Sequence, residues 1–182
     1  WLQNAAYVWV PFIVIATLAA WFGMNDIAEA KSSLATQMAI FKRRHNWIMC
    51  ILYIGTFGSF IGFSAGFPLL AKTQFPEVNV MQLAFLGPLV GALTRAGSGW
   101  IADKYGGGRG TFWGFIVLVI GALGVLYFLV NKDQPHAFYG FFAMFLLLFA
   151  ATGVGNASTF QMIPTIFRTE RGRALKGQTE ED

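Results

Sequence analysis

Five apolar stretches, residues 5–24, 47–71, 82–102, 111–131 and 137–163, govern what this chain can become. Each reaches the length of about 20 residues that a helix needs to cross a hydrocarbon core. Lipid cannot satisfy an exposed strand edge, so helix is the form expected for every one of them. Of the 182 residues, 55% are hydrophobic and only 12% are charged, too few charges to cover a soluble domain of this size. The expected fold is therefore all-α: a polytopic transmembrane bundle with five spans, its solvent the lipid bilayer. Trp1, Trp9, Trp21, Trp47 and Tyr105 lie near the predicted ends, and Trp100 and Trp113 flank the third connection. Amphipathic rings favour those interfacial depths.

The basic residues divide unevenly between the connections. Lys31, Lys42, Arg43 and Arg44 sit in the first connection, Lys104 and Arg109 in the third, and Arg168, Arg171, Arg173 and Lys176 in the tail. The second and fourth connections carry only Lys72 and Lys132. Ten against two is the positive-inside pattern, which puts the first and third connections and the tail in the cytoplasm. Because these basic residues form no single face, the net charge of +4 does not point to nucleic acid. The expected division is 1–24 as one span, 25–46 as a cytoplasmic linker, 47–167 as a four-span bundle and 168–182 as a cytoplasmic tail. Within the linker, Leu34, Met38 and Phe41 recur at helical spacing, which fits either a short amphipathic surface helix over Ile27–Phe41 or a plain solvated linker. The chain opens at Trp1 without an initiator Met, a basic leader or a cleavage site, and ends in the polar run Lys176–Asp182, so it reads as a piece of something longer.

Arg95 is the most informative side chain. It lies inside the third span, eight residues before Asp103, hence about 12 Å from the cytoplasmic end. A charge at that depth costs at least about 2.5–3.5 kcal/mol and must face a cavity or a partner. No acidic residue lies in any of the five spans, and a guanidinium cannot shed its proton to escape the cost. The negative charge must come from helices outside this chain or from a ligand. The planar fork of N–H donors suits a small flat oxyanion such as nitrate, nitrite or a carboxylate. Tyr53 and Phe57, four apart in the second span, share a face, either as packing aromatics or as walls of a narrow anion site. Gly58, Gly62 and Gly66 repeat at spacing four and are expected to admit a neighbouring helix. In the fifth span Asn156, Ser158, Thr159 and Gln161 form a polar cluster that either lines a pore or bonds between helices, with Gly153 and Gly155 permitting close packing or a local break. Pro164 is expected near the exit of that helix.

Other chemistries lack their residues. The lone Cys50 forms no internal disulfide, His45 and His136 make no metal constellation, and no Walker-type phosphate loop is present. No nucleophile–base pair or cofactor loop appears, so an enzyme is not expected, and no cofactor is called for.

The run Gly99–Arg109, with Gly99, Asp103, Gly107 and Arg109, resembles the cytoplasmic signature turn of the major facilitator superfamily. The stretches Trp1–Ala28, Thr56–Phe75 and Ser158–Arg168 resemble the nitrate/nitrite porters of the NarK type. That resemblance implies helices six to ten of a twelve-helix carrier in a bacterial inner membrane, with 25–46 joining its two bundles. It implies that Arg95, Tyr53 and Phe57 bind nitrate, that a partner arginine and further site helices lie outside this chain, and that nitrate exchanges for nitrite by alternating access. The absence of intramembrane carboxylates fits exchange better than proton coupling. A carrier for another small organic anion, or a membrane subunit that transports nothing, are the alternatives.

Overall fold

A computed structural model describes residues 2–24 and 33–181, which form two separate units, the first ending at Lys42 and the second beginning at Arg43. The first unit holds α1 (Leu2–Gly23), then α2 (Leu34–Met38) and a 3-10 turn (Ala39–Lys42). The apolar side chains of α1, among them Tyr7, Trp9, Phe12 and Trp21, are exposed, as suits a helix solvated by lipid. The helix carries Pro11 without interruption, as membrane helices often do. Among the described residues of the expected linker helix over Ile27–Phe41, Leu34–Met38 is α-helical and Phe41 falls in the 3-10 turn. The remainder of that linker reading, with Glu29 and Lys31, lies outside the described residues, as does the interfacial placement of Trp1.

The second unit is a bundle of α3 (Arg44–Tyr53), a π-helical turn (Ile54–Gly58), α4 (Ser59–Gln74), α5 (Leu86–Gly97), α6 (Gly99–Tyr105), α7 (Gly107–Val130) and α8 (Ala137–Glu181). Among the described residues, five helical stretches are long and apolar enough to cross a membrane, and each overlaps one of the five expected spans. The bundle is assembled around α8, which packs against α7 and α5 and also touches α3, the π turn, α4 and α6.

Two kinds of packing hold it. Between α4 and α8, phenylalanines interdigitate: Phe67 lies 4.9 Å from Phe145 and 6.1 Å from Phe141, while Phe63 meets Phe145 edge-on at 6.1 Å and Phe60 meets Phe149 edge-on at 5.7 Å. Between α7 and α8, small residues bring the backbones together. A Cβ on Gly114 would stand 3.3 Å from the Gly155 Cα, and one on Gly107 would collide with the Ser158 carbonyl oxygen. In lipid no hydrophobic force drives two helices together, so such close backbone contact supplies the dispersion energy instead. A buried Thr111–Thr159 hydroxyl pair at 3.2 Å ties the same interface.

Several boundaries differ from the sequence expectation. The third span is not one rod: it starts with a 3-10 turn (Val80–Gln82), and α5 gives way to α6 at Ser98, whose ψ is −2°. The third connection shrinks from Asp103–Gly110 to the single residue Gly106, at φ +87°, a conformation that only glycine adopts without strain. Asp103 therefore lies within α6, and Arg109 within the first turn of α7. Pro164 does not mark a helix exit, because α8 continues through it to Glu181. The Gly58–Gly62–Gly66 edge receives no helix among the described residues: a Cβ on Gly62 or Gly66 would meet nothing within 4 Å. Here the close approaches fall on α7 and α8, at glycines the spacing-four pattern did not single out.

Candidate functional site

The site begins with a register shift. The π turn Ile54–Gly58 interrupts the long helix Arg44–Gln74 between Tyr53 and Ser59. Such single π turns widen a helix locally and often mark functional positions. Thr56, inside the turn, is fully buried, and its hydroxyl donates to the Leu52 and Tyr53 carbonyls. A Cβ on Gly155 of α8 would come within 2.9 Å of the Thr56 Cγ2 methyl, so the turn is seated directly on α8. This seating directs the Phe57 ring toward α5.

On α5, Arg95 occupies the last turn. Its guanidinium carbon stands 5.9 Å from the centre of the Phe57 ring, a cation–π contact. Gly153 sets the approach of α5 to α8. A Cβ there would collide with the Thr94 hydroxyl oxygen and the Gly91 carbonyl oxygen, and would lie 3.0 Å from the Arg95 nitrogen. Of the two uses open to the fifth-span glycines, Gly153 serves close packing.

These elements enclose a cavity of about 400 Å³ lined by Phe57, Phe60, Gly91, Arg95, Thr152 and Asn156, together with Ala92, Ala96 and Gly153. Its volume exceeds what a four-atom anion fills. Arg95 also lines a second cavity of about 450 Å³, with Asp103, Phe160 and Gln161. Residue numbers rise together on both walls of these two cavities, so α5 and α8 run parallel and Arg95 stands at the junction. Among the described residues no carboxylate forms an ion pair with Arg95; Glu170 pairs with Arg43 at 3.3 Å and with His45 at 2.5 Å, outside the cavities.

The residues singled out from sequence separate into three groups. Arg95, Phe57 and Asn156 come together in one cavity. Tyr53 does not line it, but its ring stacks on Phe57 at 5.3 Å and 28° and lies 6.4 Å from Phe160, so it backs the cavity wall. Ser158, read as either lining a pore or bonding between helices, is fully buried in the α7–α8 interface, its hydroxyl oxygen against Gly110. Of the signature-turn residues, Asp103 reaches the second cavity beside Gly99, while Arg109 lines an outer groove with Tyr105 and Trp113. Among the described residues no ion pair joins Asp103 to Arg109. Sequence reasoning missed Phe60, Thr152 and the π turn. Phe60 lies three residues beyond Phe57 and stacks on it at 6.2 Å with an 8° interplanar angle, a spacing that was legible. A π turn leaves no comparable mark in sequence.

The chain matches the Major Facilitator Superfamily over residues 1–176. It is 50% identical over 182 residues to "Nitrate/nitrite transporter NarU" of Salmonella typhimurium, covering 99% of this chain and 39% of that protein. It is 40% identical to "Probable nitrate/nitrite antiporter NarK2" of Thermus thermophilus, covering 98% of this chain and 41% of the relative. With "Nitrite extrusion protein" of Bacillus subtilis the identity is 24%, over 96% of this chain and 43% of that protein. The chain thus spans about two fifths of the length of the curated relatives it matches.

Proposed function

Because the chain belongs to the major facilitator superfamily, a family of multi-pass membrane transporters and not of enzymes, we propose that it forms helices six to ten of a nitrate/nitrite exchanger in a bacterial inner membrane. In this reading residues 25–46 link the two bundles on the cytoplasmic side, and the second unit supplies one wall of a midplane anion site. Arg95 grips two oxygens of a flat anion through its fork of N–H donors. Phe57 and Phe60 flank that position with ring faces and edges, which restrict the site to thin ligands, and Tyr53 holds Phe57 from behind. A site with one guanidinium in this half, and the rest supplied by the other bundle, suits alternating access by rocking of the bundles. Exchange follows from energetics: a desolvated guanidinium without an anion costs several kcal/mol, about the penalty of an unpaired charge at membrane depth, so the carrier reorients more readily loaded than empty.

The observation that carries the proposal is the pairing of Arg95 with the Phe57 ring in a cavity where, among the described residues, no carboxylate neutralises it. The test is nitrate binding to the purified complete transporter. Arg95→Lys keeps the charge but loses the fork, and is expected to weaken binding by about tenfold or more. Unchanged affinity in that variant would remove Arg95 from the ligand set.

A further inference from the structure

Asn156 holds a carboxamide whose bonding the bundle leaves incomplete. The residue is 3% exposed, and its Oδ1 has no hydrogen-bond partner among the described residues. Of the other polar residues of the same helical stretch, two are satisfied within the helix. Thr152 donates to the Phe149 carbonyl at 2.8 Å, and Thr159 donates to the Gly155 carbonyl at 2.8 Å. The Ser158 hydroxyl oxygen and the Gln161 Oε1 are also without partners, but Ser158 is set between α7 and α8, and Gln161 lines the second cavity, on the Asp103 side of Arg95. Asn156 alone of these combines full burial, an orphaned polar atom and a place in the Arg95 cavity. Buried polar groups are almost always paired, so the bare acceptor shows that bonds within the bundle do not fix this carboxamide.

Its position along α8 matters. Asn156 lies three residues beyond Gly153, which touches the backbone of α5 at Gly91 and Arg95. Because α5 and α8 run parallel, the carboxamide stands one helical step further on, at the level of the Arg95 side chain. The amide is neutral and carries two donors, so it can bond an anion without adding charge. The orphaned oxygen is sealed from the cavity, so the NH₂ is the group of this side chain that can meet an oxyanion there.

Resting on the anion-site reading above, we propose that Asn156 is a second ligand of the transported anion and the residue by which this cavity separates nitrate from nitrite. Nitrate is a planar trigonal anion with three equivalent oxygens. The Arg95 fork takes two, and the third points away from it, free for the Asn156 NH₂. Nitrite has only two oxygens; once both are held by the fork, the amide faces a nitrogen lone pair, a weaker acceptor. Asn156 therefore stabilises bound nitrate more than bound nitrite, while Arg95 stabilises both.

The test is calorimetric titration of nitrate and of nitrite, separately, into the purified complete transporter and its Asn156→Ala and Asn156→Asp variants. Asn156→Ala is expected to weaken nitrate by about tenfold or more, the scale of a hydrogen bond to a charged group, and nitrite by less than about threefold. Asn156→Asp has nearly the same shape but places a carboxylate in the Arg95 cavity, where it competes with the anion for the guanidinium; it is expected to lose nitrate and nitrite alike. If Asn156→Ala does not fold, Asn156→Leu, which fills a similar volume without donors, decides in its place. Equal weakening of both anions in Asn156→Ala, or unchanged nitrate affinity in either variant, overturns the inference and leaves Asn156 a packing residue. A parent protein that binds neither anion overturns the anion-site reading itself, and with it this inference.

Discussion

Gly153→Ala is a small change that should disturb the anion site without replacing a proposed ligand. The added methyl would collide with the Thr94 hydroxyl oxygen and the Gly91 carbonyl oxygen and stand 3.0 Å from the Arg95 nitrogen. Two of those three atoms are backbone, so no side-chain rotation relieves the clash. Restoring ordinary contact requires α5 and α8 to separate by about 1 Å, and overpacking of that kind costs about 1–3 kcal/mol. The displaced element is the turn that bears Arg95, and a shift of about 1 Å spoils a bidentate contact, so nitrate affinity should fall by about tenfold or more. Gly155→Ala should be milder, since its methyl would meet a side-chain atom, the Thr56 Cγ2, at 2.9 Å. The assay is thermal unfolding of the complete transporter in detergent together with nitrate titration. A Gly153→Ala protein that melts and binds like the parent would refute the close α5–α8 contact and the dependence of Arg95 on it.

Three further outcomes are expected. Thr111→Val removes a buried hydroxyl from the 3.2 Å pair with Thr159, which still donates to the Gly155 carbonyl; unfolding in denaturing detergent should register a loss of about 0.5–1 kcal/mol. Glu170→Gln severs the pairs with Arg43 and His45, but the Arg43 side chain is 53% exposed, so unfolding of the complete transporter should show a loss below about 1 kcal/mol. Gly106→Ala forces an L side chain into φ +87°, and should lower stability by about 1–2 kcal/mol in the same unfolding measurement although the added methyl meets nothing within 4 Å.

The spans were legible because bilayer thickness sets their length and lipid excludes the alternatives; the five found among the described residues fall where the apolar runs predicted. Arg95 was legible for a related reason: a permanent charge in an apolar run has few explanations. The misplaced features are those that depend on which face of a helix meets which neighbour. The Gly58–Gly62–Gly66 edge meets no helix among the described residues, whereas Gly107, Gly114 and Gly155 do, because spacing alone does not say where the partner helix stands. Ser158 and Asn156 are two residues apart, so α-helical geometry turns them to different faces: one enters the α7 interface and the other the Arg95 cavity. The break at Ser98 and the π turn at Ile54–Gly58 were hidden because both are tertiary adjustments of sequences that read as uninterrupted helix. Pro164 misled in the opposite direction, since neighbouring helices let a membrane helix continue through proline.

The most direct test of the account is nitrate-driven nitrite efflux from proteoliposomes, comparing the complete transporter with its Arg95→Ala variant. The account predicts rapid exchange in the parent and none above the protein-free background in the variant. Exchange that persists after Arg95→Ala would contradict it, and would make the guanidinium in this cavity a structural charge.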